Sequence, residues 1–187
     1  MIDETYEFIE GLDSDDDKLM CEELGDVLLQ IVFHACVKAE DNVFNMGDVI
    51  NGICRKMILR HPHVFGNVTV ADSGEVLENW EQIKNVEKQR KTPFEQLDSI
   101  SKALPSLMRA AKLQSKSEKT GLSEKHNVEH YVNEIKERAA GLSDENPDAE
   151  SVASLMFDLA GVARCIELDP EELLYRENDK FLEKFRD

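Results

Sequence analysis

The sequence predicts an all-α protein, and three observations support this class. Apolar residues recur at intervals of three and four along most of the 187 residues, which is the spacing of one helix face. No stretch shows the strict alternation of polar and apolar residues that is typical of a half-buried strand. Helix start signals are also present, and the clearest is Asp169-Pro170-Glu171-Glu172, with Asp as N-cap and Pro at the first helical position.

Capping and breaking residues place the predicted helices. Gly11 and the acidic turn after it end the first helix, and Asn45 caps the third. Pro62 ends the third helix, because it disfavours the helical conformation of the preceding His61. Ser73 is the predicted cap of the fourth helix. In chain order the predicted helices cover 2–10, 18–41, 46–60, 74–89, 104–119, 128–140, 149–167 and 170–185, and 143–147 form an acidic joint.

Composition excludes several classes of function. The chain has 22 Lys and Arg residues against 39 Asp and Glu residues, a formal net charge of −17. Nucleic-acid grooves and anionic membrane surfaces both require clustered basic residues, so neither is an expected partner. The four cysteines are scattered without a C-x-x-C pair, which predicts a reduced, cytoplasmic protein without disulfides. No apolar run is long enough to predict a transmembrane helix.

Two pairs of carboxylates near the start of the chain are the strongest candidates for chemistry. Glu4 and Glu7 are three residues apart, as are Glu23 and Asp26, so each pair shares one helix face. Two such helices packed together would bring four negative charges to one place, which requires a cation between them. Carboxylate oxygens favour Mg²⁺, with Mn²⁺ as a substitute. The alternative is that both pairs lie on solvated helix faces, as acidic pairs commonly do.

The run from Val27 to Val37 is nearly apolar and favours the metal interpretation. A helix that is apolar on most sides is expected to be buried, and uncompensated charge beside it is costly. Gly25 lowers helix propensity by roughly 1 kcal/mol relative to Ala. We therefore expect a neighbouring backbone or a ligand to approach closely at this glycine.

Four further side chains are candidates for substrate contact. Lys56 and Arg60 share one face of the third helix, and Trp80 and Lys84 share one face of the fourth. Cationic groups beside a metal cluster suit a triphosphate, and Trp80 offers a stacking surface. Lys–Glu pairs on a wet face and a core tryptophan are the alternatives. The segment after Arg60, with two histidines one residue apart, is a weak zinc signal, and a corner that anchors Val64 and Phe65 in the core is favoured.

The second half of the chain reads as a degenerate repeat of the first. Asn133-Glu134-Ile135-Lys136-Glu137 corresponds to Asp3-Glu4-Thr5-Tyr6-Glu7. The positions that correspond to Glu23 and Asp26 are occupied by Ser151 and Ser154. We therefore expect the first half to be active and the second to be structural.

These motifs together resemble the MazG-type nucleoside triphosphate pyrophosphohydrolases. The family signature is EExxE, a variable gap and EExxD, and it reads here as 3–7 and 22–26. The segments 56–66, 79–84 and 103–107 extend the resemblance over essentially the whole chain. The resemblance implies two helical repeats, with a catalytic repeat at 1–92, a connecting helix and linker at 93–127, and a degenerate repeat at 128–187.

The resemblance also implies an activity, which is Mg²⁺-dependent hydrolysis of nucleoside triphosphates to monophosphates and pyrophosphate as nucleotide-pool house-cleaning. It assigns Glu4, Glu7, Glu23 and Asp26 to the metal. A free carboxylate beside these ligands, such as that of Glu22, is suited to orient the attacking water, so Glu22 and Glu23 are the predicted catalytic residues. The implied substrate contacts are Lys56, Arg60, Trp80 and Lys84. Assembly as a homodimer or larger homo-oligomer is also implied. Family members carry a segment before the first acidic motif, so an impaired helical nucleotide-binding or oligomerisation module is the alternative.

Overall fold

The computed structural model describes residues 1–70, 72–90, 92–142 and 148–186. Within these residues the protein is all-helical and contains no strand, which confirms the predicted class. The helices are α1 (Ile2–Asp13), α2 (Asp17–Glu40), α3 (Met46–Arg60), α4 (Pro62–Phe65), α5 (Ser73–Glu87), α6 (Pro93–Asp98), α7 (Ser106–Lys119), α8 (Val128–Ala140), α9 (Ala149–Cys165) and α10 (Pro170–Glu183).

Most predicted helix starts are confirmed by caps in the structure. The Asp16 side chain accepts hydrogen bonds from the backbone at the start of α2, and Asn45 forms a reciprocal capping box with Asp48 at the start of α3. Asp169 caps α10. At α5 the carboxylate that accepts from the Glu75 backbone N–H belongs to Asp72, one residue before the predicted cap.

The end of the first helix was predicted wrongly, and two short helices were not predicted. Gly11 does not end α1, which continues to Asp13. The predicted helix ranges omit α4 and α6, which each begin with a proline at the first helical position. Proline is favoured there because its missing N–H would have no helical partner. The predicted joint at 143–147 lies outside the described residues.

The chain divides into two compact units, Met1–Lys84 and Asn85–Asp187. In the first unit, α1 and α2 form a helical hairpin and α3 packs against α2. In the second unit, α9 packs between α7 and α8, with α6 and α10 contributing further contacts to α7. The boundaries of the predicted repeats, and the repeat itself, stay predictions.

The expectation that α2 is a buried core helix was wrong for this chain alone. Only Glu23 and Ala35 of this helix are buried, while Leu29 and Phe33 are 60% and 59% exposed. The apolar run therefore marks a helix that the described residues leave exposed on one side. Val64 and Phe65 are likewise exposed rather than anchored in a core.

The cysteines are free, as predicted, within the described residues, and Cys21, Cys36 and Cys54 are exposed. Among the described helices none is both long and apolar enough to cross a membrane.

Candidate metal centre

The hairpin of α1 and α2 brings the acidic side chains together because the two helices approach closely at Gly11. A Cβ atom added to Gly11 would lie 2.9 Å from the backbone nitrogen of Met20 and 3.1 Å from its Cα. Any larger residue would therefore push the helices apart. No neighbouring backbone approaches Gly25 in the described structure, since a Cβ there meets nothing within 4 Å.

Three carboxylates converge between the two helices. One oxygen from each of Glu4, Glu7 and Glu23 lies within 4.8 Å of the other two. Glu4 and Glu7 occupy one face of α1 because they are three residues apart, and Glu23 faces them from α2. The first-turn acidic residues of α1 also favour the positive end of the helix dipole.

Glu23 is the buried member of this group, with only 7% of its surface exposed. Its Oε2 atom is buried and has no hydrogen-bond partner in the described part of the chain. Burial raises the pKa of the Glu23 carboxyl, and the negative charges of Glu7, Asp26, Glu22 and Glu4 raise it further. A buried carboxylate without a donor or cation is costly, so this oxygen is the one that most requires a positive ligand.

Gln30 is a member of the site that sequence reasoning missed. Its Nε2 atom donates a hydrogen bond of 3.3 Å to Glu4 Oε1, and the amino terminus of Met1 lies 3.8 Å from the same oxygen. Gln30 is the one amide side chain in the apolar run, two helical turns after Glu23. That isolated polar residue was the available signal.

Asp26 and Glu22 lie outside the converging group of atoms. Both side chains belong to exposed residues, although their charges act on Glu23. The structure thus brings together three of the four carboxylates that the sequence proposes as ligands.

The candidate substrate contacts form a small cluster of their own on α3 and α5. The Arg60 guanidinium carbon lies 5.1 Å from the centre of the Trp80 ring, and the Lys84 ammonium lies 4.4 Å from it. These are cation–π distances. Arg60 is buried, and the Lys84 ammonium also lies 3.4 Å from a carboxylate oxygen of Glu81. Lys56, the fourth candidate, is exposed.

The helix pair α8 and α9 of the second unit carries a different arrangement. In α8 and α9 the Arg138 side chain lies 2.9 Å from a carboxylate oxygen of Glu134 and 3.0 Å from one of Asp158. Ser151 donates a hydrogen bond to Asp148, its own helix cap. A protein cation therefore balances the carboxylates of this pair.

The donor set of the first unit fits a hard divalent cation. It offers oxygen atoms from three converging carboxylates, one of which is buried and lacks a partner in the described structure. The fold and site therefore define an all-α protein with an acidic, metal-type centre in a helical hairpin.

Comparison with known proteins identifies the family. Residues 1–65 match the model of the MazG nucleotide pyrophosphohydrolase domain. The nucleoside triphosphate pyrophosphohydrolase/pyrophosphatase MazG of Thermotoga maritima is 35% identical over 100% of this chain and 72% of its own length. A nucleoside triphosphate pyrophosphohydrolase of Escherichia coli K12 is 33% identical over 100% of this chain and 73% of its own. YabN of Bacillus subtilis is 42% identical over 99% of this chain, which spans 39% of YabN.

The chain therefore belongs to the MazG family of nucleoside triphosphate pyrophosphohydrolases. The family membership predicted from the acidic motifs is confirmed.

Proposed function

We propose that this protein hydrolyses nucleoside triphosphates to nucleoside monophosphates and pyrophosphate in the cytoplasm, with Mg²⁺ as cofactor and Mn²⁺ as a substitute. Water adds its oxygen to the α-phosphorus and pyrophosphate leaves with the electrons of the α–β anhydride bond. Removal of unwanted triphosphates from the nucleotide pool is the role that fits this reaction. The observation that carries the proposal is the buried Glu23 carboxylate. One of its oxygens lies within 4.8 Å of oxygens of Glu4 and Glu7, and its Oε2 atom has no hydrogen-bond partner in the described structure.

Glu4, Glu7 and Glu23 would hold the cation. Asp26, whose charge acts on Glu23, would complete the set. When bound, Mg²⁺ would neutralise phosphate charge and lower the pKa of a water molecule. Gln30 would orient Glu4 through its hydrogen bond, which leaves the second oxygen of Glu4 for the cation.

The remaining assigned residues have separate roles. Glu22 is adjacent to Glu23 and exposed, so its carboxylate would orient the attacking water as a general base. Arg60 and Lys84 would contact the triphosphate, and Lys56 would add a solvent-exposed positive charge. Since two cations already lie against the Trp80 ring, we propose that Trp80 orients these cations in addition to any contact with the base or sugar.

The activity test is pyrophosphate release from a panel of ribo- and deoxyribonucleoside triphosphates at fixed Mg²⁺. Glu23→Gln removes a charged ligand without changing its size, and we expect kcat/KM to fall by about 100-fold or more. Glu40→Gln is the matched control, because it changes an exposed glutamate at the far end of the same helix. Unchanged activity in Glu23→Gln would overturn the proposal, whereas binding of a non-hydrolysable analogue without turnover would indicate a binding module.

We also propose that the protein assembles as a homodimer or a larger homo-oligomer through α2. The helix exposes a wide apolar stripe whose members are each 37% to 60% exposed: Leu24, Leu28, Leu29, Val32 and Phe33. Apolar stripes of this kind are normally buried in soluble proteins. A second copy would cover them and would bury the surroundings of the acidic centre further.

A further inference from the structure

Helix α7 carries four basic residues along one face, which we call the basic stripe. Residues 101–125 contain six Lys and Arg residues and only two Glu residues, in a chain whose net charge is −17. The stripe consists of the four cations within the helix, Arg109, Lys112, Lys116 and Lys119. They follow one another at intervals of three, four and three residues, which places them on one side of the helix.

The opposite face of α7 is the one that packs within the second unit. Ala110 and Gln114 are buried, and the Gln114 amide donates a hydrogen bond to a backbone carbonyl of α9. Glu118, on the same face, accepts two hydrogen bonds from an arginine of α9. At 3.6 residues per turn the stripe lies on the other side of the helix from these residues, so it faces solvent. Lys112 and Lys119 are accordingly exposed.

The second unit does not use all of these charges for its own stability. Among the described residues, no carboxylate lies within ion-pair distance of Arg109, Lys112 or Lys119. Lys116 and Lys119 lie in the last turn of α7, where a positive charge favours the negative end of the helix dipole. Arg109 lies in the first turn and Lys112 in the middle, so the dipole accounts for only half of the stripe.

The spacing of the cations favours an acidic helix as the partner. At a rise of 1.5 Å per residue, neighbouring cations are about 4.5 or 6 Å apart along the helix axis, and the stripe spans about 15 Å. Acidic residues three and four positions apart on a second helix have the same separations, so four carboxylates would pair with the stripe in register. Alternate residues of an extended chain are about 6.7 Å apart, so four charges would span about 20 Å and lose register.

The rest of the chain disfavours a long polyanion or a membrane. Outside residues 101–125 the chain has 37 Asp and Glu residues against 16 Lys and Arg residues. Nucleic acid that continued beyond the stripe would therefore be repelled, whereas a helix of about three turns ends where the stripe ends. The buried side of α7 packs against α9, so this helix has no apolar face to insert into lipid.

We propose that the basic stripe docks an acidic α-helix of a partner protein, which carries Asp or Glu at intervals of three and four over about three turns. The Arg109 guanidinium would hold one carboxylate bidentately, and the three lysines would add single charges. Exposed ion pairs contribute little individually, so the contact requires the whole row and should be reversible and sensitive to salt. The surface is separate from the acidic centre and does not depend on the proposed hydrolysis.

The test is fluorescence anisotropy of a labelled helical peptide titrated with the full chain. The peptide has about 18 residues, or five helical turns, with four glutamates at intervals of three and four. A second peptide has the same composition, with its glutamates spread around the helix. The first peptide should bind at about 20 mM salt, and the second should bind at least about tenfold more weakly. Raising the salt to about 500 mM should abolish binding, because exposed charges are then screened.

Charge reversals at exposed positions locate the contact. Lys112→Glu combined with Lys119→Glu should weaken binding of the first peptide at least about tenfold, because repulsion replaces two attractions. Lys125→Glu combined with Lys136→Glu is the matched control, since it changes the net charge equally at two exposed lysines outside the stripe.

Several outcomes would overturn the proposal. These are no peptide binding by the parent chain, equal binding of the two peptides, and equal weakening by the two double variants. Tighter binding of inorganic polyphosphate or of single-stranded DNA of the same charge would also overturn it, because the stripe would then recognise phosphate rather than an acidic helix.

Discussion

Glu23 carries the strongest electrostatic conflict in the first unit. Its side chain is buried, four acidic neighbours raise its pKa, and one of its oxygens lacks a partner in the described structure. Such conflicts concentrate at functional sites, where they prepare a position for a ligand at a cost to stability.

Glu23→Gln should consequently stabilise the metal-free protein while it abolishes the response to metal. The neutral amide removes the repulsion, so Tm in EDTA should rise above that of the parent chain. Mg²⁺ should raise Tm of the parent and leave the variant unchanged, because a ligand stabilises only the state that binds it. Differential scanning calorimetry with and without Mg²⁺ measures both effects, with Glu40→Gln as control. A lower Tm for the variant in EDTA would contradict this account.

Alanine substitutions at the two glycines near the site, Gly11 and Gly25, should change the stability of the protein in opposite directions. Gly11→Ala places a methyl group against the Met20 backbone and should cost about 1–3 kcal/mol, with weaker Mg²⁺ binding because the hairpin opens. Gly25→Ala meets nothing within 4 Å and should stabilise α2 by about 0.5–1 kcal/mol. Urea unfolding of both variants tests the pair. Equal effects would show that the close approach at Gly11 is unimportant.

The spacing of residues in the sequence was sufficient to identify the candidate carboxylates. It did not show which of them is buried. Glu7 and Glu23 look equivalent in the sequence, and only packing shows that Glu23 is buried while Glu7 is exposed. Gln30 escaped notice because a single polar residue in an apolar run has no recognisable spacing. At Gly25 no neighbouring backbone approaches, since the sequence alone does not reveal which glycine a neighbouring helix contacts, and the expected approach of a ligand there stays a prediction.

The pairing of α7 with α9 depends on a partly buried ion pair. Arg164 on α9 binds Glu118 on α7 through two hydrogen bonds and also donates to the Tyr131 hydroxyl on α8. Burial acts to raise the pKa of the Glu118 carboxyl, but hydrogen bonds from Arg164 and from the His126 backbone N–H hold it below its ordinary value. The three helices are thereby joined through one guanidinium.

Acid should weaken this connection. A folded-state pKa below the unfolded value of about 4.3 means that the pair stabilises the protein above that pH, and that the stabilisation is lost as pH falls through the folded pKa. Glu118→Gln should therefore cost about 2–3 kcal/mol at pH 7. The difference from the parent should shrink below about pH 4.3. Chemical denaturation at several pH values measures this change.

The control for Glu118→Gln is Glu172→Gln. Glu172 pairs with Arg176 on the surface of α10, where both side chains are about half exposed, so its loss should cost less than about 1 kcal/mol. Comparable losses in the two variants at pH 7 would contradict the special role of the Glu118–Arg164 pair.

The helices themselves were largely predictable because their signals are local. Capping by Asp16, Asn45 and Asp169 depends on residues within three positions of each helix start. The short helices α4 and α6 were missed, since a single turn after a proline has too few residues to show periodicity. The end of α1 was predicted wrongly because Gly11 does not terminate the helix. Its small size instead allows α2 to pack closely against α1.

The proposed assembly rests on the exposed apolar stripe of α2. Leu29 and Phe33 are more than half exposed on a helix whose opposite side holds the buried Glu23. A net charge of −17 opposes association in general, so the proposed assembly would require a specific apolar interface to overcome the repulsion.

Phe33→Glu should shift the protein towards the monomer. A charge in the middle of the stripe would have to be buried without a partner, which is costly. Light scattering coupled to size-exclusion chromatography should give a dimer mass or larger for the parent and a lower mass for the variant. Phe94→Glu is the control, since it introduces the same charge at an equally exposed phenylalanine on α6. A parent chain that is monomeric at micromolar concentration would contradict the assembly.

The sequence by itself determined the helical class, the family and the positions of the acidic pairs, because helix periodicity, capping and short motifs are read within a few residues. Tertiary structure decided which carboxylates converge, that Glu23 is buried, that Gln30 contacts Glu4, and that Arg164 binds Glu118 in the second unit. These features arise from contacts between residues that are distant along the chain. Burial and distance are set by how helices pack, and neither is encoded in the spacing of residues along one helix.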